Sequence, residues 1–156
     1  MFSRVQQPCG LETAHDLARG EEGWRSQSLH TTAEVAEAVC RVTEAMAGLG
    51  YPERDVFGMR LALEEALVNA LKHGNRGDPR KEARLRYRVD AGRVLAEVED
   101  EGPGFDPNEV PDPLDPENLD RPSGRGLLLM RSYTTWLRFN RRGNRLTLCK
   151  ERTPAR

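Results

Sequence analysis

Residues 106–123 limit the fold of this chain more than any other stretch. They hold five of its ten prolines (Pro107, Pro111, Pro113, Pro116, Pro122) and six acids (Asp106, Glu109, Asp112, Asp115, Glu117, Asp120). Proline lacks the amide that a helix interior or a sheet ladder needs, so this stretch is neither a central strand nor a long helix. It reads as a long loop inside a chain of 156 residues, the size of one ordinary domain. Loops of that length within a compact domain are functional lids or disordered segments. Its prolines deny it a ladder partner, its acids repel, and only Val110, Leu114 and Leu119 offer apolar anchors. The expectation is a lid that orders when an anionic ligand engages its C-terminal end.

The regular elements lie on either side of this loop. Trp24–His30 reads as a strand. Thr31 and Thr32 offer an N-cap, and Ala33–Leu49 reads as a helix stopped by Gly50. Pro52 sits where a first helical turn tolerates proline. From there Val56, Met59, Leu63, Leu67 and Ala70 recur at helical spacing until Gly74 and Gly77 end the run. Glu82–Asp90 alternates through Ala83, Leu85, Tyr87 and Val89, and pairs with Arg93–Asp100 across an Ala91–Gly92 turn. Beyond the loop a helix opens near Gly124–Gly126 and carries Leu127–Met130. Strands Thr135–Asn140 and Asn144–Lys150 meet at a turn containing Gly143. Strands and helices do not alternate strictly. The order therefore predicts an α+β two-layer sandwich, with a mixed, mostly antiparallel sheet and helices packed on one face. Residues 1–23 show no periodic apolar pattern and are broken by Gly10, Gly20 and Gly23. They read as a loose N-terminal extension to a domain spanning 24–156.

Composition closes off several function classes. A net charge of −1 supplies no global basic field, so no direct nucleic-acid partner is expected. No stretch approaches the roughly 20 apolar residues of a membrane span, and residues 1–25 contain no apolar run of the secretory kind. Cys9, Cys40 and Cys149 are an odd count without a CxxC pair, which argues against a disulfide framework and a zinc site. These features predict a cytoplasmic protein without membrane contact. None of the three lysines lies in a GxxxxGK[ST] loop, so the chain has no P-loop.

Three segments carry chemistry. On the helix that runs to Gly74, Asn69 lies about 40° and His73 about 80° around the axis from Glu65. The three form a polar ridge beside the apolar stripe, while Glu64 points to the other side. A carboxylate one turn before a carboxamide can accept a proton beside an oxygen that ligates a hard cation. Next, Val98-Glu-Asp100-Glu-Gly102-Pro-Gly104-Phe105 ends a strand in an acid followed by a Gly-Pro-Gly turn. Such a turn lets backbone approach a flat ligand closely, and the acid can accept from an exocyclic amine. Finally, Ser123-Gly124-Arg125-Gly126-Leu127 opens a helix with free N–H groups that suit phosphate oxygens. Taken singly, these segments also read as a solvated helix face, a plain strand-to-loop turn and ordinary helix initiation.

Taken together and in this order, they resemble the N, G1 and G2 boxes of the GHKL ATPase superfamily. Its members include gyrase, the heat-shock-ninety chaperones, histidine kinases and mismatch-repair ATPases. Within it the chain is most similar to the anti-sigma-factor serine/threonine protein kinases. Their S-E-A-x-x-N-A-x-x-H-G pattern is met by Glu64-Glu65-Ala66-Leu67-Val68-Asn69-Ala70-Leu71-Lys72-His73-Gly74, and the resemblance runs from about Trp24 to Glu151. It implies a Bergerat-type ATP-binding fold that uses ATP and Mg²⁺. Glu65 would be the general base, Asn69 the Mg²⁺ ligand and Asp100 the adenine reader. Gly102 and Gly104 would allow close approach to the base. Gly124 and Gly126 would cradle phosphates, flanked by Ser123, Arg125 and Leu127. His73 would sit near the nucleotide, as a contact or as a packing residue. The implied partners are an anti-anti-sigma protein, which is phosphorylated, and a sigma factor, which is sequestered; a homodimer is also suggested.

Relatives carry a small residue where Glu64 stands, so Glu64 competes for the base role, and the wheel favours Glu65. Residues 1–23 have no counterpart in the minimal family domain. Two functions stay open: a protein kinase, and an ATP-binding regulatory module that binds a partner without phosphorylating it. A histidine-kinase fragment is disfavoured, because His15 and His30 lie in no long amphipathic helix pair.

Overall fold

A computed structural model describes residues 22–106 and 125–156. The strands are β1 (Arg25–Leu29), β2 (Ala83–Val89), β3 (Arg93–Glu99), β4 (Trp136–Phe139) and β5 (Arg145–Glu151). The helices are α1 (Thr32–Gly48), α2 (Glu53–Asn69) and α3 (Arg125–Tyr133), and a π-helical turn, Ala70–Gly74, extends α2. Each predicted element is present with ends displaced by one to a few residues. The π turn is the addition that periodicity did not reveal.

The sheet order is β1-β2-β3-β5-β4. Every pairing among these strands is antiparallel, so the parallel component of the expected mixed sheet is absent from the described residues. The reason lies in the connections. Two helices separate β1 from β2, and each reverses the chain, so β2 returns antiparallel to β1. The short β2–β3 and β4–β5 turns are antiparallel by construction. In the first of these, the Asp90 carboxylate accepts the amides of Gly92 and Arg93, both at 3.0 Å.

One face of the sheet carries the core. Leu85 and Tyr87 from β2, Val94, Ala96 and Val98 from β3, and Leu146 and Leu148 from β5 meet Val39, Val42 and Met46 of α1 and Met59, Leu63 and Leu67 of α2. The helix-period stripe predicted for α2 is this buried side. α1 begins with a capping box: the Glu34 amide donates to Thr31 Oγ1 at 3.2 Å, and the Glu34 carboxylate accepts the Thr31 amide.

The C-terminal tail fastens the α1–α2 connection. Asp55, buried in the first turn of α2, accepts the Thr153 amide at 2.7 Å and its hydroxyl at 2.6 Å, with Lys150 Nζ at 3.5 Å. Burial alone would push this carboxyl up; the Thr153 hydrogen bonds and the ammonium together hold it below its ordinary value. Arg152 donates to the carbonyls of Leu49 at 3.0 Å and Gly50 at 2.6 Å. Tyr51 donates to the Asp90 carbonyl at 2.6 Å, and burial, aided by Asp90, raises its phenol to about 12.

Candidate nucleotide site

A cleft of about 910 Å³ opens between the end of α2, the C-terminal end of β3 and the start of α3. That volume suits a small-molecule site. Glu65, Asn69 and His73 line one wall, as successive turns of a single ridge. Glu64 is not in the lining. Asp100 and Gly104 also belong to the lining, with Asp100 seated on the end of the helix at Gly74, and Gly126 and Leu127 add the start of α3. Gly102 and Arg125 stay out of the lining; Gly102 is buried behind the wall and Arg125 is exposed at the first residue of α3. Ser123, Gly124 and the predicted lid beyond Asp106 lie outside the described residues.

The two ends of the cleft are set by two close approaches. At Gly74, a Cβ would fall 2.2 Å from Asp100 Oδ2, so only glycine lets the carboxylate rest on the end of the helix. At Gly126, a Cβ would fall 1.9 Å from Glu65 Oε1, so the start of α3 lies directly on that carboxylate. The glycines of the Gly-Pro-Gly turn fit against protein rather than open space. A Cβ at Gly102 would meet the Gly74 carbonyl at 2.0 Å, and one at Gly104, whose φ is +80°, would meet the Arg142 carbonyl at 1.8 Å.

Asp100 is held from several directions. Its amide donates to the Asn144 carbonyl at 2.9 Å, and Asn144 Nδ2 donates back to its carbonyl at 3.2 Å. The Gly102 amide donates to its carboxylate at 2.8 Å. The Glu101 amide donates to Asn75 Oδ1 at 2.8 Å. Burial pushes the Asp100 carboxyl above its ordinary value, against the Gly102 amide, which pulls it down. A partly buried carboxylate is a stronger acceptor for a donor on a bound ligand than one fully in water.

Sequence reasoning missed these two asparagines. Asn75 is buried, and its Oδ1 accepts the amide of Glu101, 26 positions further on. Asn140 and Asn144 form the β4–β5 turn, where Asn140 Oδ1 accepts the amides of Gly143, Asn144 and Arg145. The sequence showed a turn containing Gly143, but not the docking of Asn144 on Asp100.

The residues fit a magnesium–nucleotide. Asn69 presents a carboxamide oxygen one helical turn from Glu65 on the same wall. Among the described residues no three His, Cys, Asp or Glu side chains gather to cage a metal. A hard cation here would therefore complete its shell with ligand and water oxygens, as Mg²⁺ does. Among the described residues no helix is long and apolar enough to cross a membrane.

This architecture, with one helix bearing Glu65 and Asn69 and a strand-end Asp100 seated at the end of that helix in the same cleft, is that of a nucleotide-binding α+β domain. The family model described as "Histidine kinase-like ATPase domain" matches residues 29–150, and the chain belongs to that family. It is similar to the serine-protein kinase RsbW of Bacillus subtilis, with 32% identity over 88 residues, covering 53% of this chain and 55% of that protein. The chain thus matches only about half the length of this relative. Its fold is similar to a crystal structure of the RsbU and RsbW domains of Rv1364c from Mycobacterium tuberculosis. There the TM-score is 0.54 at 18% identity, over 85% of this chain and 34% of the other.

Proposed function

We propose that this chain is an ATP-dependent serine/threonine protein kinase of the anti-sigma-factor type, acting in the cytoplasm. It would phosphorylate an anti-anti-sigma protein and sequester a sigma factor. The observation that supports this most is the placement of the desolvated Asp100 at one end of the cleft and the Glu65–Asn69 pair toward the other. Asp100 accepts a hydrogen bond from the adenine amine, which fixes the nucleotide's direction. The start of α3 at Gly126 presents backbone N–H groups to the phosphates. Asn69 Oδ1 holds Mg²⁺, which when bound neutralises phosphate charge. Glu65 takes the proton of the acceptor hydroxyl as its oxygen bonds to the terminal phosphorus and the bond to ADP breaks.

One feature favours a second reading. The Glu65 carboxylate lies against Gly126, where phosphates are expected. A chain that kept this contact with nucleotide bound would bind ATP and a partner without transferring phosphate.

Labelled ATP incubated with the protein and its co-purified partners separates the two. The kinase labels a partner serine or threonine. Glu65→Gln slows labelling by roughly 10²–10⁴-fold with ATP affinity retained, and Glu64→Gln leaves both labelling and ATP affinity unchanged. Loss of labelling in Glu64→Gln alone would place the base on the wrong carboxylate. Nucleotide binding without any labelling would support the second reading.

A further inference from the structure

Two residues past the π turn stands an arginine with an unusual backbone. Arg76 has φ +54°, the left-handed region that disfavours side chains, and it is the only non-glycine residue with positive φ among those described. Its neighbours hold it there. The Asn75 amide donates to the Ala70 carbonyl at 2.8 Å, and the Gly77 amide to the Leu71 carbonyl at 2.9 Å. Asn75 is also buried and pinned to Glu101. Strain of this kind persists where surrounding contacts over-determine it, and it concentrates at ligand sites, as do π turns. Arg76 is exposed, lines the cleft and has no ion pair or hydrogen bond among the described residues.

Its position selects the part of the ligand it meets. Glu65 and Gly126 mark one end of the cleft, Gly74 and Asp100 the other. Glu65 and Gly74 are nine residues apart, about 13 Å along a helix. Arg76 lines the cleft two residues after Gly74, the residue on which the Asp100 carboxylate is seated, and eleven residues after Glu65. A planar guanidinium there has a flat π-system to lie against, because guanidinium stacks on aromatic faces. We propose that Arg76 is a nucleobase contact, covering the solvent-facing side of the adenine whose amine Asp100 accepts. This rests on the ATP reading above.

The test measures adenosine and ATP affinity by calorimetry at 0.15 M salt, where charges more than about 8 Å apart are largely screened. Wild type is compared with Arg76→Ala, Arg76→Lys and Arg76→Gly. Arg76→Ala should weaken adenosine and ATP by the same factor, about 3- to 30-fold. Arg76→Lys, which lacks the flat face, should fall between. Arg76→Gly, which also removes the strain, should show the alanine loss while melting no lower than wild type, so the loss cannot be assigned to misfolding. A loss confined to ATP would put Arg76 on the phosphates and overturn the inference. So would unchanged adenosine affinity in both the alanine and glycine variants. A wild-type protein that binds no nucleotide would overturn the ATP reading itself, and this inference with it.

Discussion

Gly74→Ala probes the contact on which the site depends. The added methyl would fall 2.2 Å from Asp100 Oδ2 and 2.3 Å from its Cγ. Restoring an ordinary contact of 3.4 Å requires the carboxylate to retreat by about 1.2 Å. Asp100 cannot do so freely, because the Gly102 amide holds its carboxylate and Asn144 holds its backbone on both sides. Retreat therefore breaks the Gly102 bond and misaims the carboxylate. A hydrogen bond to a charged group contributes about 1.5–3 kcal/mol, so ATP affinity should fall about 10- to 100-fold. Overpacking of this kind costs about 1–3 kcal/mol, a lowering of Tm by about 2–10 °C for a chain of this size. Calorimetry and thermal melts on Gly74→Ala, Asp100→Ala and the double variant complete a cycle. Asp100→Ala removes the atoms the methyl strikes, so Gly74→Ala should cost little further stability in that background. If it costs the same in both backgrounds, the glycine is not there for Asp100 and the reasoning fails.

Other consequences follow from neighbouring contacts. Gly126→Ala places a methyl 1.9 Å from Glu65 Oε1. Glu65 is long and half-exposed, so it swings aside with a stability change within about 0.5 kcal/mol. Phosphotransfer should drop at least tenfold while ATP affinity stays within a few-fold, and unchanged turnover would show that the Glu65 position against α3 is immaterial. Asp55→Ala leaves Thr153 and the Lys150 ammonium without their acceptor, and should cost about 2–4 kcal/mol in urea unfolding. The folded Asp55 carboxyl titrates below the unfolded one. Its stabilisation is therefore complete above the unfolded value of about 4 and is lost as pH falls from there through the folded value. Wild type should lose stability over that acid range more steeply than Asp55→Asn; parallel acid limbs would refute the assignment.

The helices and strands were legible because each rests on local periodicity. The stripe from Met59 to Ala70 placed α2, and the alternation from Ala83 to Val89 placed β2. The polar ridge of Glu65, Asn69 and His73 was legible for the same reason: angular spacing on a helix is fixed by the backbone. The sequence order of the three motifs also pointed to the family. Tertiary structure decided the rest. Periodicity carries no information on which strands become neighbours, so the wholly antiparallel order with β5 between β3 and β4 was not determined locally. A π turn depends on one amide choosing a carbonyl five residues back, and here that choice is fixed by Asn75 docking on Glu101. The glycines of the G1 turn were read as making room for a ligand. Where they touch backbone instead, as Gly102 does at Gly74 and Gly104 at Arg142, the partner lies 28 or 38 positions away along the chain, and only folding brings it there.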